Sequence, residues 1–171
     1  ISSTPDPTCI NTPVDFLADP IPSGANYSWS FGAGAIPSTM TGTDNPTGII
    51  YTTSGNKQII LTQTYGGISA CTEKDTLNIK IYGNPTINGP TSFCENSGNN
   101  IYTLNWPNPP GTPPGLNGNS YSWDLDGVGL SNGATLNLSQ YVTPGAHVLH
   151  VAIDLGSCIL EASININVIA K

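Results

Sequence analysis

One short strand signature occurs twice in the chain: Tyr27-Ser28-Trp29-Ser30-Phe31-Gly32 and Tyr121-Ser122-Trp123-Asp124-Leu125-Asp126-Gly127. In each copy Tyr and Trp stand two apart, with Ser between them and a polar residue after the Trp. That is the period-two alternation of a strand with one buried face. A Trp pointing inward from such a strand covers a large apolar area and can centre a small sandwich core. Trp29, Trp123, Tyr27 and Tyr121 are therefore the expected core residues, and the other landmarks are placed by their distance from the two tryptophans.

Composition agrees with strands. Gly and Pro together make about a fifth of the 171 residues, and charged residues only 9 %, which long helices do not tolerate. The expected class is all-β, with many turns. The net charge is -7, with no Arg and four lysines (Lys57, Lys74, Lys80, Lys171). Nucleic acid needs clustered cations and is excluded as a partner. An anionic membrane surface is disfavoured for the same reason. No apolar run reaches the roughly 18 residues of a membrane span, so no membrane insertion is expected. The start, Ile1 to Thr8, lacks a basic and apolar leader and reads as a linker, which suggests a fragment of a longer mature chain.

The cysteines fall into the same two halves. Cys9 and Cys71 are 71 − 9 = 62 positions apart, Cys94 and Cys158 158 − 94 = 64, and each pair brackets one Trp. Four Cys allow three connectivities. The near-equal spacing favours Cys9–Cys71 and Cys94–Cys158, each stabilising its half by about 4 kcal/mol in the chain-entropy model. Four free thiols are the alternative. Zinc is disfavoured, with no C-x-x-C and no His near a Cys. Disulfides imply an oxidising compartment.

Later landmarks repeat in order. Tyr51 to Gly55 matches Tyr141 to Gly145, a Tyr-x-x-x-Gly turn into a strand: Lys57 to Tyr65, then His147 to Asp154. Final alternating strands follow at Thr76 to Tyr82 and Ser163 to Val168, and early ones are expected at Val14 to Ala18 and Ile101 to Leu104. Tyr82-Gly83-Asn84-Pro85 separates the halves, which predicts domains 1–83 and 84–171 joined end to end by a short linker. Copy one carries extra residues from Ala33 to Asn45. Copy two carries a Pro-rich insertion from Trp106 to Gly115, expected as a surface loop.

This pattern resembles the PKD (polycystic kidney disease) domain, an immunoglobulin-like β-sandwich with a Trp-Asp-Phe-Gly-Asp-Gly hallmark. Trp29 to Gly34 keeps Trp, Phe and both glycines, with Ser30 and Ala33 in place of the acidic residues. Trp123-Asp124-Leu125-Asp126-Gly127 keeps the first Asp and shifts the rest. Tyr51/Gly55 and Tyr141/Gly145 match the later landmarks. The cysteine-flanked units look like repeats of very large secreted or surface proteins of Bacteroidetes-type bacteria. Many of those are exported by the type IX system and include gliding adhesins. The resemblance implies two tandem immunoglobulin-like (PKD-type) β-sandwich domains. It implies a non-catalytic extracellular, cell-surface module, a spacer, stalk or adhesive segment whose partners are neighbouring repeats of the same chain.

Other candidate sites are few. His147 and His150 lie three apart on a strand and face opposite ways, so they form neither a chelate nor a dyad. Asp124, Asp126 and Gly127 resemble the start of a calcium loop, but the later ligands are missing and both carboxylates are expected on one solvent face. Beyond calcium at Asp124 and Asp126, no cofactor is expected. No paired carboxylates, nucleophile–base set or Gly-x-Ser-x-Gly elbow occurs, so no enzyme is expected. Trp106 stands outside the repeated landmarks. Exposed on a Pro-stiffened loop, it is the candidate ligand-binding residue, able to stack on a surface glycan or polysaccharide; the bland reading packs it on its own domain. It motivates the alternative of an accessory carbohydrate-binding module of a secreted hydrolase. Asn26-Tyr27-Ser28, Asn137-Leu138-Ser139 and Asp75-Thr76-Leu77 are glycosylation-like signals.

Overall fold

The computed structural model describes residues 1–18, 24–66, 71–106, 113, 115–138 and 142–171. It divides into two compact units, Ile1–Gly83 and Asn84–Lys171. The strands of the first are β1 (Ser2–Thr4), β2 (Thr8–Cys9), β3 (Pro13–Leu17), β4 (Ala25–Ser30), β5 (Ala35–Ile36), β6 (Thr39–Thr41), β7 (Ile49–Tyr51), β8 (Gly55–Tyr65) and β9 (Thr72–Tyr82). Those of the second are β10 (Thr86–Asn88), β11 (Ser92–Cys94), β12 (Ile101–Asn105), β13 (Tyr121–Leu125), β14 (Val128–Gly129), β15 (Thr135–Asn137), β16 (Gly145–Asp154) and β17 (Ile159–Ile169).

Both units follow one topology. Unit one pairs its strands in the orders β1-β3-β7-β5 and β2-β9-β8-β4-β6; unit two in the orders β10-β12-β15 and β11-β17-β16-β13-β14. Strand for strand these coincide, except that β5 has no counterpart among the described residues. The one parallel pairing recurs as well, β2 with β9 and β11 with β17. Each unit is an immunoglobulin-like sandwich in which two sheets close over one layer of inward side chains.

Alternation along the strands supplies that layer. β3 reads exposed–buried–exposed–buried–exposed and buries Val14 and Phe16, while β8 turns Ile59 and Leu61 inward. Trp29, Phe31, Ile49, Tyr51 and Ile81 complete the core of unit one. Phe16, from one sheet, lies 6.1 Å from the ring of Trp29 and 5.3 Å from that of Phe31, on the β4 side. In unit two Trp123, Tyr102, Leu149, Val151 and Ile153 are fully buried.

The two tryptophans occupy one register. Trp29 faces Leu61 of β8, and Trp123 faces Val151 of β16. Each indole N–H donates over 2.9 Å to a backbone carbonyl downstream, Thr43 in one unit and Gly133 in the other. The bond satisfies the polar edge of a buried ring and ties the following loop to the core. Tyr121 is buried like Trp123, whereas Tyr27 is only half-buried, close to the end of its sheet.

Ile1 to Thr8 is not a linker: Ser2–Thr4 pairs with β3, and Thr8–Cys9 lies parallel to the end of β9. Its polar, Pro-interrupted sequence hides two edge strands too short to show a period. Tyr51 is the last residue of a strand rather than a turn residue, and its hydroxyl donates to the Phe31 carbonyl over 2.8 Å. Tyr141, Ser139 and most of the Pro-rich insertion lie outside the described residues.

Candidate functional site

Cys9 and Cys158 are disulfide-bonded, whereas Cys71 and Cys94 carry free, exposed thiols. The pairs Cys9–Cys71 and Cys94–Cys158 do not form, and strand geometry says why. Cys9 lies in register with Tyr82, at the last residue of β9, while Cys71 precedes its first residue. Eleven residues of strand separate the two levels, roughly 35 Å at about 3.3 Å per residue. Disulfide Cα atoms must approach within about 7 Å. Unit two repeats the arrangement: Cys94 lies in register with Ile169, and Cys158 precedes the 11-residue β17. Each sandwich therefore carries one cysteine at each end.

Trp106 is buried, 8 % exposed, so it lacks the open ring face that stacking on a sugar requires. It also lies within the repeat plan. The inward residues Val14, Phe16 and Ala18 of the first unit correspond to Tyr102, Leu104 and Trp106 of the second; Phe16 pairs with Ser3 as Leu104 pairs with Ile87. Ala18 is buried as well. A Trp thus stands where the other copy has an Ala, and comparison of strong landmarks alone does not reveal the match.

The acidic pair is occupied by protein donors. Asp124 accepts the Gly127 amide on Oδ1 and the His150 Nδ1–H on Oδ2, at 3.0 and 2.7 Å. Asp126 accepts the Val148 amide on Oδ1 and the His147 Nδ1–H on Oδ2, at 2.8 and 2.7 Å. All four carboxylate oxygens are engaged, so the residues expected to start a calcium loop instead cap a turn in which Asp126 has φ 51° and Gly127 φ 80°. The two histidines reach different carboxylates and do not meet. Among the described residues, no group of three or more His, Cys, Asp or Glu side chains could hold a metal ion.

His147 has acceptors on both ring nitrogens, the Asp126 carboxylate and the Thr143 carbonyl at 2.8 Å. Only the imidazolium donates from both. Asp126 first, and then Thr143, accordingly hold its pKa above the ordinary histidine range. The Val148 amide first, and His147 second, hold the Asp126 carboxyl below its ordinary range. The equivalent residue in unit one is Lys57, since Gly55 and Gly145 open corresponding strands. Lys57 is buried; its ammonium donates to Thr53 Oγ1 over 2.8 Å and lies 5.8 Å from the Tyr51 ring centre. Burial lowers its pKa. A cation held by the threonine four residues before it is thus a shared structural device.

No protein-family model matches the sequence. No curated protein matches it either. Among solved structures, the chain is similar to the three N-terminal domains of the bacteriophage RB49 highly immunogenic outer capsid protein (Hoc), with 13 % identity and TM-score 0.49 over 98 % of this chain and 57 % of that one. It is also similar to the N-terminal four Ig domains of Dscam1 isoform 1.9, with 11 % identity and TM-score 0.39 over 99 % of this chain and 46 % of that one. The chain spans about half the length of these neighbours. No helix among the described residues is long and apolar enough to cross a membrane.

Proposed function

We propose that this chain is a non-catalytic pair of PKD-type repeats, a spacer or adhesive segment of a large secreted or cell-surface protein. The observation that carries the reading is the duplication itself: one strand order, one buried Trp with its indole bonded to the next loop, and one cation position, each built twice. A plan repeated at the level of the core is what a modular extracellular array requires, because every module must fold on its own core. The bonded Cys9 and Cys158 support an oxidising, extracellular setting. The side chains best suited to chemistry, His147, His150, Asp124 and Asp126, are spent on structural bonds. The cell-surface placement, and membership of a Bacteroidetes-type adhesin, rest on the sequence resemblance.

The carbohydrate-binding alternative rests on Trp106 and on an acidic, hydroxyl-rich surface, and the burial of Trp106 removes its stacking platform. Two measurements test the proposal together. Antibodies raised against the chain should label intact source cells or their secreted fraction, and the purified chain should retain no glycan on an array. Antigen confined to the cytoplasm would overturn the placement, and saturable binding of one glycan class would restore the alternative.

A further inference from the structure

An asparagine followed by glycine can be attacked at its side-chain carbonyl by the glycine's own backbone nitrogen, because no side chain blocks the approach. The chain contains three such pairs: Asn88-Gly89, Asn117-Gly118 and Asn132-Gly133. Ring closure requires the asparagine Cγ and the next backbone nitrogen on the same side of the Cα–C bond. An extended backbone holds the two apart. Asn88 is the last residue of β10, in register with Thr103, and the Tyr102 ring fills the space beside Gly89. Asn117 has ψ 179° and caps a short 3-10 turn. Its Oδ1 accepts the Asn119 amide at 2.9 Å, and its own amide donates to Ser120 Oγ at 3.2 Å.

Asn132 differs on each count. It is exposed and lies between β14 and β15, in neither strand. Among the described residues its carboxamide makes no hydrogen bond, and the Gly133 amide has no acceptor. Gly133 has φ 136°, a conformation open to glycine. We propose that Asn132 is a modification site, at which the chain itself closes a succinimide that water opens to aspartate and isoaspartate.

The chemistry needs only base and water. The Gly133 nitrogen loses its proton to base and attacks Asn132 Cγ, forming a C–N bond. The side-chain nitrogen takes up a proton and leaves as ammonia, which closes the ring. Water then adds to one ring carbonyl. Breaking the Cγ–N bond gives aspartate. Breaking the bond from the Asn132 main-chain carbonyl to that nitrogen gives isoaspartate, whose main chain runs through Cβ and Cγ. One water enters, one ammonia leaves, and nothing is oxidised or reduced.

The site lies inside the anchor of the buried Trp123. The Leu130 amide donates to the Trp123 carbonyl at 2.8 Å, the Trp123 amide to the Ser131 carbonyl at 3.1 Å, and the indole N–H to the Gly133 carbonyl at 2.9 Å. Asn132 separates the last two acceptors, so isoaspartate inserts an extra main-chain carbon between them. Unit one is not open to this chemistry. There the indole of Trp29 donates to Thr43, and the residue before Thr43 is Gly42, which has no carboxamide. The two repeats therefore age differently at the same structural device.

The test incubates the folded chain and the chain in concentrated urea side by side in mildly alkaline buffer, followed by peptide mapping with mass spectrometry. In the folded chain the Asn132 peptide should gain the mass of amide-to-acid conversion about tenfold or more ahead of the Asn88 and Asn117 peptides, which wait on local opening. In urea all three should convert at similar rates. The aged chain should show the melting transition of unit two lowered by several degrees, with that of unit one unchanged. Asn132→Ser should keep its transition through the same incubation. Freshly made Asn132→Asp adds the charge without the extra carbon and should melt with wild type, as exposed substitutions do. Folded-state conversion of Asn88 or Asn117 as fast as that of Asn132 would overturn the proposal. So would conversion of Asn132 that leaves unit two's melting unchanged, or an equal loss in fresh Asn132→Asp.

Discussion

At the scale of single residues, the two units solve one problem with different side chains. Lys57 and His147 occupy equivalent positions and are held by the threonine four residues before each, Lys57 by the Thr53 hydroxyl and His147 by the Thr143 carbonyl, and His147 has the Asp126 carboxylate beside it as well. The pH dependence follows from the direction of each shift. Asp126, held below its ordinary range, contributes stability that is present above about pH 4 and lost as pH falls through its folded pKa. His147, held above its ordinary range, contributes stability that is full below about pH 6.5 and lost as pH rises through its folded pKa. Unit two should therefore be most stable between those limits and lose stability as pH rises above about 6.5. The slope should vanish in His147→Gln, read as melting temperature against pH; an unchanged slope would contradict the pairing. Trp106 carries the second residue-scale expectation. Trp106→Ala should cost about 3 kcal/mol, as truncation of a buried aromatic does, and lower the melting transition of unit two by roughly 10–20 °C. A change of only a degree or two would mean the ring faces water.

At the scale of elements, legibility in the sequence tracked length and period. β8, β16 and β17 alternate over most of their 10 or 11 residues, and β9 over its second half, and those stretches are readable because burial of one face writes every second residue; the first five residues of β9 are all exposed and show no period. β10, β11 and β15 have three residues each, too few to display a period, and they form through pairing with longer neighbours. The cysteine states escape the sequence for the same reason. Spacing of 62 and 64 positions matches between copies because the copies are homologous in plan, yet it says nothing about which end of a sheet each cysteine reaches. Register supplies that, and register is a tertiary fact. Packing between elements gives a further expectation. A Cβ on Gly89, just after β10, would sit 2.2 Å from the ring of fully buried Tyr102, whose hydroxyl donates to Pro90 and whose phenol burial pushes up to about 12. Gly89→Ala should cost about 1–3 kcal/mol through overpacking. Gly129→Ala on β14 meets no atom within 4 Å and should stay within about 0.5 kcal/mol of wild type. Chemical denaturation of the two variants compares them directly.

At the scale of the molecule, one Trp-centred sandwich plan is built twice, each copy with its own core. The functional reading follows from that autonomy, since a spacer or adhesive array depends on modules that fold independently. The direct measurement is hydrogen exchange by mass spectrometry on Trp29→Ala and Trp123→Ala, each expected to cost its own unit about 3–5 kcal/mol. Trp29→Ala should strip protection from the strands Gly55–Tyr65 and Thr72–Tyr82 while Gly145–Asp154 and Ile159–Ile169 keep wild-type protection, and Trp123→Ala should do the reverse. Loss of protection in both units from either substitution would contradict two self-sufficient cores.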